Sequence, residues 1–265
     1  MYLFIEILVL AIIQGIAEFL PISSSGHLVI GSAIFDAFGA ELQEKLAMGI
    51  VLHVGTLLAI LVFYWRRILR LLTSDRRVIP LLIVGSIPAG VVGILLKDSI
   101  ERIFEEPIYA GVFLIITGVI LLLSKRCKSG ETECRNLSYL GAFLIGLSQA
   151  FAILPGISRS GSTIVAGLGL GMKREEAATF SFLLAIPAIG GAGLIHFKDL
   201  LENPAAQTTP LLPLLIGGLV SFVVGLAALA WLIRWLQEGR LQLFAWWLFI
   251  VGPAVIVWQV VVMLK

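Results

Sequence analysis

Six uninterrupted apolar stretches constrain this chain more than any other feature of its sequence. Each is near or above the length that an α-helix needs to cross about 30 Å of hydrocarbon. The chain is 59% hydrophobic and 14% charged, whereas soluble domains carry about 25% charged residues. The sequence therefore predicts an all-α integral membrane protein. The six predicted spans are residues 46–64, 78–96, 108–123, 177–197, 210–233 and 241–264.

Two further apolar segments are interrupted by polar residues. Residues 2–20 are apolar, break at "PISSSGH" and resume only as far as Phe38, while 137–154 break at "PGISRSGST" and resume to Gly171. Each second arm is too short to cross, and irregular backbone inside a bilayer survives only where protein or water satisfies it. The pattern predicts two re-entrant helix-loop-helix hairpins. The alternative, in which residues 2–20 span the membrane outright, would disturb the charge pattern of the loops.

The two interrupted segments resemble each other, and each is followed by three of the predicted spans. An odd number of crossings turns the second half upside down, which is the inverted-repeat plan of many transporters. We therefore predict one polytopic membrane domain, 1–265, with repeat 1 at about 1–124 and repeat 2 at about 137–265. The matched pairs are Gln14 with Gln149, Ser23 with Ser158, Ser25 with Ser160 and Gly26 with Gly161.

Loop charges give an independent prediction of topology. With both termini outside, the arginine- and lysine-rich loops at 66–77, 125–135, 173–176 and 234–240 fall inside, and the more acidic loops at 36–45, 97–106 and 198–202 fall outside. This is the positive-inside pattern. The two broken loops would then meet near the midplane from opposite faces. The net charge of +2 gives no indication of a nucleic-acid partner.

The second broken loop carries an arginine deep between apolar arms. The planar guanidinium of Arg159 suits phosphate oxygens, and a helix that begins here would offer free N–H groups to an anion. The alternative is a capped helix with an arginine that extends to the membrane surface. The anion hypothesis predicts phosphate contacts from Ser158, Arg159, Ser160, Gly161 and Thr163.

The first broken loop carries the groups that could perform chemistry. Glu18 lies one helical turn after Gln14, and its carboxylate could bind a cation or water, or be a protonated structural group. His27 could act as a base, acid or nucleophile. Ser23, Ser24 and Ser25 could each be a nucleophile, a phosphate ligand or a helix cap. A nucleophile, a base and an anion clamp brought together would form an active site.

The role of one histidine stays open, and four tryptophans have a structural interpretation. His53, within the first plain span, is equally compatible with a buried structural histidine and with a pocket residue. The tryptophans are predicted to form belts at the membrane interface. They are Trp231, Trp235, Trp246 and Trp247.

The stretches "QGIAEFLPISSSGHL" and "PGISRSG" resemble the two signatures of the undecaprenyl pyrophosphate phosphatases, also called bacitracin-resistance proteins. The resemblance covers essentially the whole chain. It implies a hydrolase of the bacterial plasma (inner) membrane, open to the periplasmic face, that removes the terminal phosphate of undecaprenyl pyrophosphate. The monophosphate product is the carrier used in peptidoglycan synthesis.

The resemblance also implies roles for individual residues. Ser24, His27, Glu18 and Arg159 take the catalytic positions, and a divalent cation, Mg²⁺ or Ca²⁺, is expected with Glu18 and Gln14 near it. Gln14 occupies a position at which the family motif allows Glu or Gln. Because glutamine is uncharged, it weakens the case for a metal site built on two carboxylates. We favour Ser24 as nucleophile with His27 as its partner, while attack by His27 itself or by a positioned water stays open. The phosphate-binding positions are Ser23, Ser25, Gly26, Ser158, Arg159, Ser160, Gly161 and Thr163.

Other classes of protein fit the sequence less well. A polyprenyl-phosphate transporter or flippase would share the inverted repeat and the anion site, although simple anion binding needs no base beside a serine. The phosphatidic acid phosphatase group has a similar Ser-Gly-His but also further motifs that are not arranged that way here. The predicted partners are the lipid substrate and membrane lipids, and the oligomeric state is open, with a homodimer as one option.

Overall fold

The computed structural model describes residues 2–37, 45–127, 129–202 and 210–264. Within these residues the secondary structure is helical, apart from a single bridge between Thr132 and Met172. The α-helices are α1 (Tyr2–Ala17), α2 (Ser24–Ala37), α3 (Lys45–Phe63), α4 (Trp65–Leu71), α5 (Val78–Leu95), α6 (Lys97–Glu105), α7 (Pro107–Leu123), α8 (Tyr139–Phe151), α9 (Arg159–Gly169), α10 (Arg174–Glu202), α11 (Leu211–Gln237) and α12 (Leu243–Met263).

The described helices match an integral membrane protein. Five are long and apolar enough to cross a bilayer, and the bent pair of α3 and α4 would make a sixth. Large hydrophobic side chains are exposed along them, such as Leu212 at 68% and Ile250 at 67%, as lipid-facing surfaces require. The predicted all-α membrane class is confirmed.

The two interrupted segments are broken helices, as the sequence predicted. Helices α1 and α8 are apolar but short, with 16 and 13 residues, and each is followed after a break by a short second arm, α2 or α9. Proline, glycine and serine stop each first arm, since proline removes a backbone donor and serine competes for backbone hydrogen bonds. Both breaks lie within the described residues.

Three regions predicted as loops contain helix. Helix α4 turns by 73° from the end of α3, and α6 is a nine-residue amphipathic helix without a buried residue. The third region, 198–202, continues α10. Segments as short as α4 and α6 give no span-length apolar signal in the sequence, which is why they were read as loops. The predicted outer loop at 36–45 lies mostly outside the described residues.

Close helix contacts hold the bundle together through small residues. Helix α7 packs along α12, α3 along α11, α5 along α8, and α1 along α11. Where α7 crosses α12, a Cβ on Gly252 would lie 2.8 Å from the carbonyl oxygen of Gly111, so the backbones touch. Small residues allow this approach in membranes, where lipid removes the hydrophobic drive for association.

Gly252→Ala should therefore destabilise the protein. The added methyl group forces α7 and α12 apart, and overpacking of this kind costs about 1–3 kcal/mol. The matched control is Gly190→Ala in α10, where a Cβ meets no atom within 4 Å and helix propensity alone favours alanine. Thermal unfolding of the purified protein in detergent should show a lower Tm for Gly252→Ala only. Equal Tm values for the two variants would contradict the close crossing.

A polar cluster joins α4, the 124–138 connection and α10. The Arg67 guanidinium lies 2.9 Å from the Asp75 carboxylate and 3.1 Å from that of Glu176. The same Glu176 carboxylate accepts the backbone N–H of Cys134 at 2.7 Å, and the Cys134 thiol donates to the Glu176 carbonyl at 3.2 Å. These contacts fix the connection against the start of α10.

The two cysteines should differ in reactivity. Burial raises the pKa of the Cys134 thiol well above its usual value, so little of it is thiolate at pH 8, and the thiolate is the reactive form. Cys127 is only half-buried. Iodoacetamide should therefore label Cys127 first, as read by mass spectrometry of the folded protein. Faster labelling of Cys134 would contradict the buried position of its side chain.

Candidate active site

The two broken helices meet at their breaks. The Ser23 hydroxyl oxygen, in the first loop, accepts the backbone N–H of Gly156, in the second, at 3.1 Å. A Cβ on Gly26 would lie 2.8 Å from the Gly156 Cα, so only glycine allows the loops to touch here. Residues far apart in the sequence are thereby placed around one cleft.

Ser23 has an unusual backbone conformation that directs the next residue into the cleft. Its φ is +71°, the one positive value at a non-glycine position among the described residues. Such a conformation costs about 1–3 kcal/mol and persists only where surrounding contacts enforce it. Here the Ser23 hydroxyl accepts N–H groups from Gly156 and Gly26. Helix α2 then begins at Ser24, and the side chain of Ser24 lies beside Glu18.

Glu18 is the centre of the site. Its side chain is 6% exposed, and its carboxylate receives three hydrogen bonds. The Ser24 hydroxyl donates to Oε2 at 2.6 Å, the Arg159 guanidinium to Oε1 at 2.6 Å, and the Gln14 amide to Oε2 at 3.0 Å. Both hairpins therefore contribute to one ionic and hydrogen-bonded group, in which a serine hydroxyl is bound to a carboxylate that is itself paired with an arginine.

Helix α3 supports this group from the side. Gln14 also contacts the Thr56 hydroxyl, at 3.4 Å. His53 places Nε2 3.9 Å from Glu18 Oε2, while its Nδ1 lies 2.7 Å from the Gly49 carbonyl oxygen. The ring thus lies near Glu18, but His53 is not among the residues that line the cleft, and its Nδ1 contact is within α3.

Arg159 is held in place by contacts on both sides. Beyond the Glu18 pair, its guanidinium donates to the Ser181 carbonyl at 3.4 Å and lies 5.9 Å from the centre of the Phe182 ring. Its side chain is 15% exposed. A charged group so buried is costly unless it is paired, and Glu18 supplies that partner.

The start of α9 forms the other wall of the cleft. Ser158 caps this helix by accepting the Gly161 N–H at 3.1 Å, and its hydroxyl lies 3.2 Å from that of Ser160. Thr117 of α7 fixes the loop: its hydroxyl donates to the Gly156 carbonyl at 2.7 Å and accepts the Ser158 N–H at 3.0 Å. A helix N-terminus beside an arginine and two hydroxyls attracts anions.

The predicted phosphate-binding residues divide into two groups. Thr163 donates to the Arg159 carbonyl and contacts the Ser181 hydroxyl, while the Gly26 and Gly161 N–H groups are bound to serine hydroxyls. Those three support the site from within the protein. The polar residues that line the cleft are Glu18, Ser23, Ser24, Ser25, Ser158, Arg159 and Ser160.

His27 does not pair with Ser24 in this structure. Its Nδ1 lies 2.9 Å from the Ser23 carbonyl oxygen, and its Nε2 lies 3.0 Å from the indole nitrogen of Trp247. The serine that was expected to bond to His27 bonds instead to Glu18. The two residues are one turn apart on α2, but the Ser24 hydroxyl bonds to Glu18 while both ring nitrogens of His27 are engaged by the Ser23 carbonyl and Trp247.

The residues present do not fit a resident divalent cation. Among the described residues that line the cleft, Glu18 is the one carboxylate, and both its oxygens are occupied by donors. The Gln14 amide nitrogen donates to Glu18, and its amide oxygen, which is buried and has no hydrogen-bond partner, would add one neutral ligand at most. Among the described residues no cluster of three or more His, Cys, Asp or Glu side chains could hold a metal. Divalent cations usually require several oxygen ligands.

Several site residues were missed by the sequence analysis. Thr56, Thr117 and Ser181 are polar residues buried within otherwise apolar helices, and that contrast alone could have marked them. Phe182 and Trp247 gave no such signal, because aromatic residues are common in spans and at membrane interfaces.

The fold and the cleft together define the class: a multi-pass membrane protein with a polar site, built from two broken helices, that suits a phosphate group. The chain belongs to the family of bacitracin resistance protein BacA, whose profile matches residues 7–254.

Curated relatives match over nearly their whole length. An undecaprenyl-diphosphatase of Rhodopirellula baltica is 50% identical over 252 residues, covering 95% of this chain and 96% of the relative. An undecaprenyl-diphosphatase of Bacteroides fragilis is 41% identical, and the match covers 95% of this chain and 97% of the relative. An undecaprenyl-diphosphatase of Methanosphaera stadtmanae is 39% identical, and the match covers 96% of this chain and 97% of the relative.

Proposed function

We propose that the chain is an undecaprenyl-diphosphatase, which hydrolyses undecaprenyl pyrophosphate to undecaprenyl phosphate and inorganic phosphate. The observation that carries this proposal is the Ser24–Glu18–Arg159 group, assembled from two hairpins. The names of the curated relatives support the same reaction. The monophosphate would re-enter peptidoglycan synthesis as lipid carrier, and efficient recycling would confer bacitracin resistance.

Ser24 is the proposed nucleophile and Glu18 its base. The Ser24 oxygen forms a bond to the terminal phosphorus while the bridging P–O bond breaks and undecaprenyl phosphate leaves. The hydroxyl proton moves along the existing 2.6 Å hydrogen bond to Glu18 Oε2, then to the departing phosphate. A water molecule next attacks the phosphoserine, gives its proton to Glu18, and frees inorganic phosphate as Ser24 takes that proton back.

Arg159 and the start of α9 would neutralise the phosphate oxygens. Phosphoryl transfer depends mostly on positioning and charge stabilisation. Without substrate, Arg159 is paired with Glu18, and a bound diphosphate would share its guanidinium fork. The hydroxyls of Ser158 and Ser160, both at the cleft, would bind further oxygens, with Ser23 and Ser25 on the opposite wall.

A divalent cation, Mg²⁺ or Ca²⁺, would enter as part of the substrate. Because Glu18 is the single carboxylate among the described residues of the cleft and both its oxygens accept hydrogen bonds, we propose that the diphosphate itself holds the ion. Such an ion neutralises phosphate charge when bound. This differs from the expectation of a site built on Glu18 and Gln14.

The contact pattern supports an inverted repeat. If α1, α3, α5 and α7 correspond to α8, α10, α11 and α12, then the packing of α1 on α11 has its counterpart in α8 on α5. The central contacts join helices that correspond to each other, α3 with α10 and α7 with α12, so exchanging the two repeats leaves these contacts unchanged. We propose six spans and two re-entrant hairpins, with both termini and the cleft on the periplasmic side of the inner membrane.

This placement would suit the substrate. The diphosphate would lie in the cleft while the apolar tail remains between the helices and the lipid, because removing such a chain from lipid is costly. A homodimer stays a prediction.

The test is phosphate release from undecaprenyl pyrophosphate by the detergent-purified protein, with Mg²⁺ or with EDTA. We expect release with Mg²⁺ and its loss with EDTA. Undiminished release in EDTA would contradict the cation proposal alone. Tight lipid binding without phosphate release would contradict the enzyme and favour a polyprenyl-phosphate transporter or flippase of the same fold.

A further inference from the structure

Both ring nitrogens of His27 are occupied, which leaves no free nitrogen for Ser24. Nδ1 lies 2.9 Å from the Ser23 carbonyl oxygen, and Nε2 lies 3.0 Å from the indole nitrogen of Trp247. The two rings are nearly parallel, with planes 13° apart and centres 6.3 Å apart. Trp247 belongs to α12, so this contact joins the first hairpin to the last helix.

The chemistry of the two partners defines the tautomer. An indole N–H can only donate and a carbonyl oxygen can only accept. Nε2 of His27 must therefore accept from Trp247, and Nδ1 must carry the proton and donate it to Ser23. Only a neutral ring with its proton on Nδ1 satisfies both contacts, and the Nε2 lone pair is then covered by the indole.

The Nδ1 proton of His27 is donated to the backbone carbonyl of Ser23, the residue with the unusual positive φ. Ser23 has a φ of +71°, and its carbonyl oxygen also accepts the backbone N–H of His27 at 3.2 Å. Its side chain is bound by Gly156 and Gly26. The imidazole thus adds a hydrogen bond to the one turn that decides where Ser24 points.

We propose that His27 and Trp247 are positioning residues: Trp247 fixes the Nδ1–H tautomer of His27, and His27 holds the Ser23 turn that aims Ser24 at Glu18. Neither side chain takes the proton of Ser24. The inference rests on the proposed function for its effect on rate, while the tautomer itself is independent of any activity. Trp247 is therefore assigned a role in fixing the His27 tautomer, in addition to its predicted place in the tryptophan belt at the membrane interface.

The first test reads the tautomer directly in the resting protein. With ¹⁵N-labelled histidine, the His27 ring signals are assigned by their loss in His27→Gln. We expect a protonated Nδ1 and a bare Nε2. Trp247→Phe keeps a ring but removes the donor, and should shift proton occupancy towards Nε2. Trp246→Phe is the matched control, since that neighbour contacts Phe249 instead, and it should leave the signals unchanged.

The second test asks whether His27 positions Ser24 or takes part in proton transfer, by replacing it with amide side chains of different reach. The side-chain amide of asparagine can place a donor where His27 Nδ1 lies, whereas that of glutamine reaches towards Nε2. We expect His27→Asn to keep kcat within about tenfold and His27→Gln to lose about 10²-fold, the loss typical of a misplaced reacting group. Trp247→Phe should lower kcat with little change in KM, and Trp246→Phe should change neither.

The outcomes are distinguishable from failure of the proposed function. A bare Nδ1 in the parent protein, or signals unmoved by Trp247→Phe, would overturn the tautomer assignment. Equal inactivity of His27→Asn and His27→Gln, with both variants folded, would overturn the positioning role and make His27 a base or nucleophile. If the parent released no phosphate yet showed the predicted NMR pattern, the proposed function would fail while the tautomer assignment stood.

Discussion

Ser24→Ala is expected to reduce phosphate release by about 10³-fold or more, because removal of a nucleophile leaves only binding and charge stabilisation to act. The change removes one hydroxyl group from a half-buried position, so the fold should be retained. Initial rates of phosphate release at saturating undecaprenyl pyrophosphate measure the effect on kcat.

The control for this variant is a serine elsewhere in the membrane domain. Ser86 of α5 donates to the Leu82 carbonyl within its own helix, and Ser86→Ala should keep the parent rate. Lipid binding should survive in Ser24→Ala, since Arg159 and the α9 N-terminus remain. Near-parent turnover in Ser24→Ala would show that the nucleophile is another group, such as water.

Arg159→Ala should cause the second large loss. An arginine that neutralises a transferring phosphoryl group contributes about 10³–10⁵-fold in rate. Arg159→Lys should recover part of it, because an ammonium group keeps the charge but cannot bind two oxygens with a planar fork. Arg66→Ala is the matched control: that arginine is exposed and lies over Trp65, away from the cleft. It should leave kcat/KM unchanged.

Arg159→Ala should also destabilise the fold. Its removal leaves the Glu18 carboxylate buried without its cation, a change that typically costs about 3–5 kcal/mol. Adding Glu18→Gln removes the buried charge and should recover part of the Tm measured in detergent. Unchanged stability in Arg159→Ala would contradict the buried ion pair.

The broken helices could be predicted from the sequence because their signals are local. Proline, glycine and serine clusters mark where α1 and α8 end, and the remaining arms are too short to span. Helices α4 and α6, with seven and nine residues, were missed because a criterion based on the length of apolar stretches does not register segments of that size.

The candidate site could be predicted in its members but not in its geometry. Glu18, Ser24 and Arg159 were marked by charge or polarity inside apolar segments. The His27 ring contacts the Ser23 carbonyl and Trp247, which is 220 residues further along the chain. No local pattern encodes such a contact, and the expected hydrogen bond between Ser24 and His27 is not made in this structure.

The measurement that tests the central claim most directly is a double-mutant cycle across the two hairpins. It compares kcat/KM for phosphate release in the parent, Glu18→Gln, Arg159→Lys and the double variant. Groups that act as one unit have strongly non-additive effects. We therefore expect the double variant to be within about tenfold of the more impaired single variant. Losses that multiply fully would show that Glu18 and Arg159 act independently, and would contradict a single site shared by the two hairpins.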